Sequence, residues 1–268
     1  MKNNKYIITL IILTTFLVVN YANAITFDNK AYWKLEEASG SRTDEVGSYN
    51  LTDNNTVTSG AGKIGNAASF DDANSEYLSS TTSLGLSMAT YFTYNFWVNI
   101  TALPTASEVD YTFHWADNVT ANQKGDVQIQ LYNDAGTQQI YLYRRDSAGG
   151  DQAGANYTLT QGTWFMLTYT WDGSNHKLFI NGSATPTITG ASTRTGTNTA
   201  NTPNATFFKM AGSEVDARFM HGLLDEWGVW SRVLTSSEIT ELYNGGAGLT
   251  YSSATTPPSI ESDLIIFE

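Results

Sequence analysis

The chain has 268 residues, is 41% hydrophobic but only 15% charged, and carries a net charge of −12 with no cysteine. The length allows one large domain or two modest ones, and the acidity argues against nucleic acid or anionic membrane as partner, because phosphate binding draws on clustered Lys and Arg. Without cysteine there are neither disulfides nor thiolate metal sites, so stability must come from core area and from any oxygen-ligated ion.

The first segment, MKNNKYIITLIILTTFLVVNYANA, sets Lys2 and Lys5 before an apolar run from Tyr6 to Val19 and ends on Ala22-Asn23-Ala24. That order is the signature of a secretory signal peptide with a small-x-small cleavage site, and the run is shorter than the roughly 20 residues that span a bilayer. Residues 1–24 are therefore expected to be removed on export, leaving a secreted or extracytoplasmic protein without membrane insertion. Loss of the two Lys moves the net charge from −12 to −14. No linker rich in Pro or charge and no fixed-period repeat follows, so residues 25–250 read as a single domain. Residues 251–268, with Pro257-Pro258, read as a flexible tail.

Within the domain the elements come in short alternating runs. A strand-like AASF is followed by Asp71-Asp72-x-Asn74, whose oxygens suit either a calcium ion or an Asx-turn. In YFTYNFWVNI, Phe92, Tyr94, Phe96, Val98 and Ile100 share a core face, and Tyr91, Thr93, Asn95, Trp97 and Asn99 the opposite one. DVQIQLY repeats the pattern with Val127, Ile129 and Leu131 against Gln128, Gln130 and Tyr132. QIYLYRR does so with Ile140, Leu142 and Arg144 against Tyr141, Tyr143 and Arg145. WFMLTYTWDGSNHKLFINGS is a hairpin: Phe165, Leu167, Tyr169 and Trp171 alternate on one arm, Leu178 and Ile180 on the other, around a turn at Asp172–Asn175. The polar stretch 188–206 reads as a surface excursion. GLLDEWGVW has little polar relief and is expected to be a strand covered on both faces, with Asp225 and Glu226 pointing to opposite sides. Thr235-Ser-Ser-Glu238 has capping-box spacing, and Ile239, Leu242 and Tyr243 follow at helical intervals before Asn244-Gly245-Gly246, which predicts one short helix. The fold class is all-β, a two-sheet antiparallel jelly-roll sandwich with one short helix near the C-terminus.

Five pieces in order, AYWKLEEASGSRTDEVG, GKIGNAASFDDANSEYLSS, FTYNFWVNI, the Trp-Asp-Gly hairpin and GLLDEWGVWSRVLTSSEITELYN, make the chain similar to LamG-like jelly-roll domains of the concanavalin A-like lectin/glucanase superfamily over about residues 30–245. The resemblance implies two curved antiparallel sheets and constrains function loosely, since such domains serve as glycan-binding modules, adhesins, enzyme parts and spacers. It makes one sheet concave. On that face Trp97, Gln128, Gln130, Tyr132, Tyr141, Tyr143 and Arg145 suit a glycan or polysaccharide: pyranose C–H faces stack on aromatic rings, and hydroxyls pair with amides and guanidinium. The bland alternative is the ordinary solvent face of a sheet, and the loop aromatic Trp115 is a further candidate. Asp225 resembles a position from which related glucanases hold a structural calcium, so Asp71 and Asp225 are the metal candidates and calcium the expected cofactor.

Retaining glucanases of the superfamily carry Glu-x-Asp-x-x-Glu on one strand. Here Glu108-Val-Asp110-Tyr-Thr-Phe113 and Glu214-Val-Asp216-Ala-Arg-Phe219 both end in Phe where a proton donor is needed, so no enzymatic activity of this type is expected. His114, His176 and His221 lack metal-ligand spacing. The leading expectation is an exported, non-catalytic carbohydrate-binding or adhesion module. The rival is a structural module of an envelope, matrix or particle surface that binds surface proteins.

Overall fold

In a computed structural model the chain is described over residues 27–86, 91–104, 109–115, 127–134, 137–146, 149–191, 208–212 and 218–252. The expected signal peptide, nearly all of the tail, most of the 188–206 excursion, and Glu108, Glu214 and Asp216 lie outside these residues. The chain begins with β1 (Ala31–Trp33), β2 (Thr52–Asn54), β3 (Thr58–Ala61), β4 (Asn66–Phe70) and β5 (Tyr77–Ser80). Next come β6 (Phe92–Ile100), β7 (Val109–Trp115), β8 (Val127–Asp134), β9 (Thr137–Asp146) and β10 (Gly149–Asn156). It closes with β11 (Trp164–Trp171), β12 (Asn175–Ile180), β13 (Ile188–Ala191), β14 (Phe208–Met210), β15 (Gly222–Trp230) and the helix α1 (Ser236–Tyr243).

The strands form two antiparallel sheets. The first runs β13-β12-β11-β6-β15-β4-β3, with β1 added on β15; the second runs β10-β9-β8-β7-β14-β5-β2. Strict alternation decides what lies between them. Phe92, Tyr94, Phe96, Val98 and Ile100 of β6 join Leu167, Tyr169, Leu178 and Trp227 from the first sheet, and meet Ile129, Leu131, Leu142, Leu78 and Met210 from the second, all in one buried cluster. Phe96 stacks on Trp227 with centroids 3.9 Å apart, and Trp33 stacks on Phe208 across the sandwich at 5.2 Å. Full burial of one such side chain is worth about 1.5–3 kcal/mol, so this layer is the main source of stability.

The outer face of the first sheet is sealed as well. Trp97, Met166, Phe179 and Trp230 point away from the main core and form a second cluster with Leu234, Ile239 and Leu242. Helix α1 brings the last two. Its N-terminus is held by the expected capping box, with Glu238 N–H donating to Thr235 Oγ1 at 3.3 Å and Thr235 N–H to Glu238 Oε2 at 2.8 Å. Arg232 ties Glu238 at 2.7 Å and Asp28 at 3.0 Å to the same corner. Under this helix Trp97 is 2% exposed, its ring nearly parallel to that of Tyr243 at 5.6 Å. Trp97 therefore corrects the expectation: it lies on the other sheet from Gln128, Gln130, Tyr132 and Tyr141 and serves as a hydrophobic anchor for α1.

The last strand departs from plain alternation in one place. Asp225 pairs with Trp97 and Gly228 with Asn95, so two residues of β15 face one of β6. The extra residue is Glu226, with φ of 50°. This bulge returns Trp227 to the core and leaves Glu226 free of it.

Candidate functional site

The remaining surface of the sandwich is the outer face of the second sheet, built from alternate residues of β8, β9 and β10. Pairing sets Gln130 opposite Tyr141, Tyr132 opposite Gln139 and Gln128 opposite Tyr143, and Tyr141 is followed on β10 by Gly154. Gln130 Nε2 donates to Gln128 Oε1 at 2.9 Å, and the Tyr141 hydroxyl donates to Gln139 Oε1. The rings of Tyr132 and Tyr141 meet edge to face with centroids 6.0 Å apart. Tyr132 and Tyr141 belong to neither hydrophobic cluster, and Gln130, Tyr132, Gln139 and Tyr141 are half-buried. Gln128 is 4% exposed and accepts from Gln130, which it braces along β8. Tyr143 and Arg145 occupy β9 positions opposite Gln128 and Gly150, and Trp115 ends β7; their side chains lie outside the described residues.

The sequence reading thus brings together four of its seven ligand residues, with Gln128 as a brace. Gln139 was missed, although extending the period-2 set of β9 back by one step reaches it. A half-buried amide and phenol array of this kind presents donors, acceptors and ring faces without a fixed charge. Gln130 keeps its own carbonyl oxygen and a second N–H for a ligand hydroxyl.

The two expected calcium ligands do not meet. Asp71 N-caps a short 3-10 turn over Asp72–Asn74, its Oδ1 accepting from the Ala73 N–H at 3.0 Å. Asp71 and Asp72 gather with His221, whose Nδ1 is 2.8 Å from Asp72 Oδ1 and 3.5 Å from Asp71 Oδ1. An imidazole nitrogen beside two carboxylates is a donor set for a transition ion more than for calcium, which selects oxygen. Asp225 is elsewhere. Its Oδ2 accepts from the backbone N–H groups of Lys63 at 2.7 Å and Ile64 at 3.0 Å, which pins the 62–65 turn to β15.

Asp225 and Glu226 also differ from their expected opposition. The bulge turns Glu226 toward Tyr32, whose hydroxyl donates to Glu226 Oε2; burial pushes the Tyr32 pKa well above its usual value, and the Glu226 charge and, more weakly, the Asp225 charge add to it. Burial pushes the Asp225 carboxyl up to about 8, with the Glu226 charge adding to it against the Lys63 and Ile64 donors. Burial likewise pushes Glu226 up to about 7 against its hydrogen bonds from Tyr32 and Thr250. Asp225 is 0% and Glu226 1% exposed, so no substrate reaches either carboxyl in this conformation.

Among solved structures, domain 4 of AbnA, a GH43 extracellular arabinanase from Geobacillus stearothermophilus solved in complex with arabinotriose, is similar at 21% identity and a TM-score of 0.57, over 80% of this chain and 97% of that one. The binding domain of botulinum neurotoxin serotype G matches at 15% identity and a TM-score of 0.62, and that of Paraclostridial Mosquitocidal Protein 1 at 17% and 0.62, each over 82% of this chain. The matched region spans about half the length of those two binding-domain chains, 51% and 52%. At these identities the likeness shows the fold alone. No curated protein sequence matches significantly. The family model described as the concanavalin A-like lectin/glucanases superfamily matches residues 71–240, more than half of the chain. With its two antiparallel sheets and single short helix, the chain belongs to the concanavalin A-like lectin/glucanase superfamily.

Proposed function

We propose that the protein is an exported, non-catalytic carbohydrate-binding module whose ligand lies on the outer face of the second sheet. The observation that carries this reading is the uncharged, half-buried array Gln130, Tyr132, Gln139 and Tyr141, in which Tyr141 donates to Gln139 and Gln130 to the buried Gln128, on the face that α1 leaves uncovered. Sugars offer apolar C–H faces to rings and a ring of hydroxyls to amides, which is the complement of this array. The net charge of −12 favours a neutral glycan over an acidic one. The arabinotriose complex of the arabinanase domain adds support by analogy of fold. The buried state of Asp225 and Glu226 speaks against their use as a hydrolytic pair.

A glycan-array screen of the protein beside its Gln130→Ala and Tyr132→Ala variants tests the reading. Selective capture of neutral glycans by wild type, lost in both variants, is the expected result. A folded wild type that captures none overturns it in favour of the structural or protein-partner alternative.

A further inference from the structure

Beyond β8 and β9, the edge strand β10 carries a pattern that the sequence reading did not use. Gln152, Gly154 and Asn156 are exposed, while Ala153 and Ala155 between them pack against the main core. The exposed three pair with Tyr143, Tyr141 and Gln139 in turn, so they continue the same transverse rows as the proposed glycan face. Gly154 has a specific relation to its partner. A Cβ at this position would stand 2.2 Å from Tyr141 Cδ1 and 2.4 Å from Cε1, well inside any contact real side chains make. The Cδ1–Cε1 edge of the Tyr141 ring therefore occupies the space a side chain at 154 would fill. The ring leans toward β10, held at its hydroxyl by Gln139 and touched on another side by Tyr132.

We propose that Gln152, Gly154 and Asn156 extend the saccharide surface onto β10 as a further subsite for neutral sugar, with Gly154 the positioning residue that sets the tilt of the Tyr141 ring. This rests on the carbohydrate-binding reading above. Gly154 lets the Tyr141 ring lie over β10, and the two exposed amides flank that ring two residues away on either side of Gly154. A sugar stacked on Tyr141 then has amide donors and acceptors on both sides of the ring. The described side chains of this stretch, Gln139, Tyr141, Gln152 and Asn156, are uncharged, which suits a neutral saccharide. Glycine in a strand interior is otherwise a disadvantage, and close approach of another group is one physical reason for its presence.

The test uses the whole protein with arabinotriose, cellotriose and mannotriose as neutral probes and trigalacturonate as the anionic one. Titrations are run on wild type, Gly154→Val and Gln152→Ala, and Tyr141 ring resonances are recorded without glycan. Valine suits a strand, so folding is expected to survive, and near-UV circular dichroism checks it; Gln152→Ala leaves the ring untouched and keeps the test open should valine disturb the strand. The expected result is binding of at least one neutral trisaccharide by wild type. Gly154→Val then weakens it more than tenfold and displaces the Tyr141 resonances, and Gln152→Ala weakens it about fivefold with those resonances in place. Undiminished binding in both variants overturns the subsite while the carbohydrate reading stands. Binding of trigalacturonate alone overturns the neutral class. Wild type that binds none of the four overturns the subsite together with the reading it rests on.

Discussion

The two outer faces of the sandwich begin from similar residue patterns and end in opposite states. On the first sheet, Trp97, Asn95 and Asn99 alternate with core residues much as Gln128, Gln130 and Tyr132 do on the second. Helix α1 closes over the first face and turns its aromatics into a second core, while the second face keeps Tyr132 and Tyr141 half-open, with Gln130 donating to Gln128 and Tyr141 to Gln139. The lesson is that an aromatic on the outer side of a strand becomes an anchor or a platform according to what covers it. That decision lies in chain far from the strand.

The sharpest way to break this contrast is to remove the anchor. Trp97→Ala empties the space under Tyr243, and truncation of a buried Trp of this kind costs about 3–5 kcal/mol. Chemical denaturation is expected to show a loss of that size, whereas Tyr141→Ala is expected to cost less than about 1 kcal/mol, since the ring lies outside both cores. Equal losses would mean that the two faces are not different in kind.

The covered face also predicts a pH dependence. In the unfolded chain Asp225 and Glu226 ionise near pH 4, but burial holds them neutral in the folded protein up to about 8 and about 7. The folded state then binds more protons through this window, so stability falls as pH rises from about 4 to about 8. Denaturant unfolding in wild type is expected to show a drop of several kcal/mol between about pH 5 and pH 8. Asp225→Asn, which keeps a carbonyl oxygen for the Lys63 and Ile64 N–H groups, is expected to flatten that slope and to exceed wild type at the alkaline end. A steeper slope in the variant would contradict the assignment.

A smaller effect tests the cover itself. Thr235→Ala removes one half of the capping box, worth about 1 kcal/mol, and is expected to speed hydrogen exchange along Ser236–Tyr243 without altering exchange in β8 and β9.

The fold was largely readable because period-2 alternation is a local property: the core sets of β6, β8 and the Trp-Asp-Gly hairpin follow from which residues share a face. The short helix was readable for the same reason, since Thr235 and Glu238 lie within one turn of each other. The site was less so. Alternation placed Trp97 on an outer face correctly but says nothing of the cover, which Ile239 and Leu242 supply from well over a hundred residues away. It also assumed an unbroken strand, so the bulge at Glu226 reversed the expected separation from Asp225. His221 joins Asp71 and Asp72 across 149 residues, a proximity no spacing pattern reveals. Gly154 was invisible as a candidate because its contribution is the absence of a side chain beside Tyr141.

The central claim, that ligand meets the open face and not the covered one, is tested most directly by aromatic-ring NMR during titration with the tightest neutral glycan from the array. The account predicts shifts in the Tyr132 and Tyr141 rings that saturate with binding, and none in Trp97, Trp230 or Tyr243. Saturating shifts confined to Trp97 and Tyr243, with Tyr132 and Tyr141 unmoved, would contradict it.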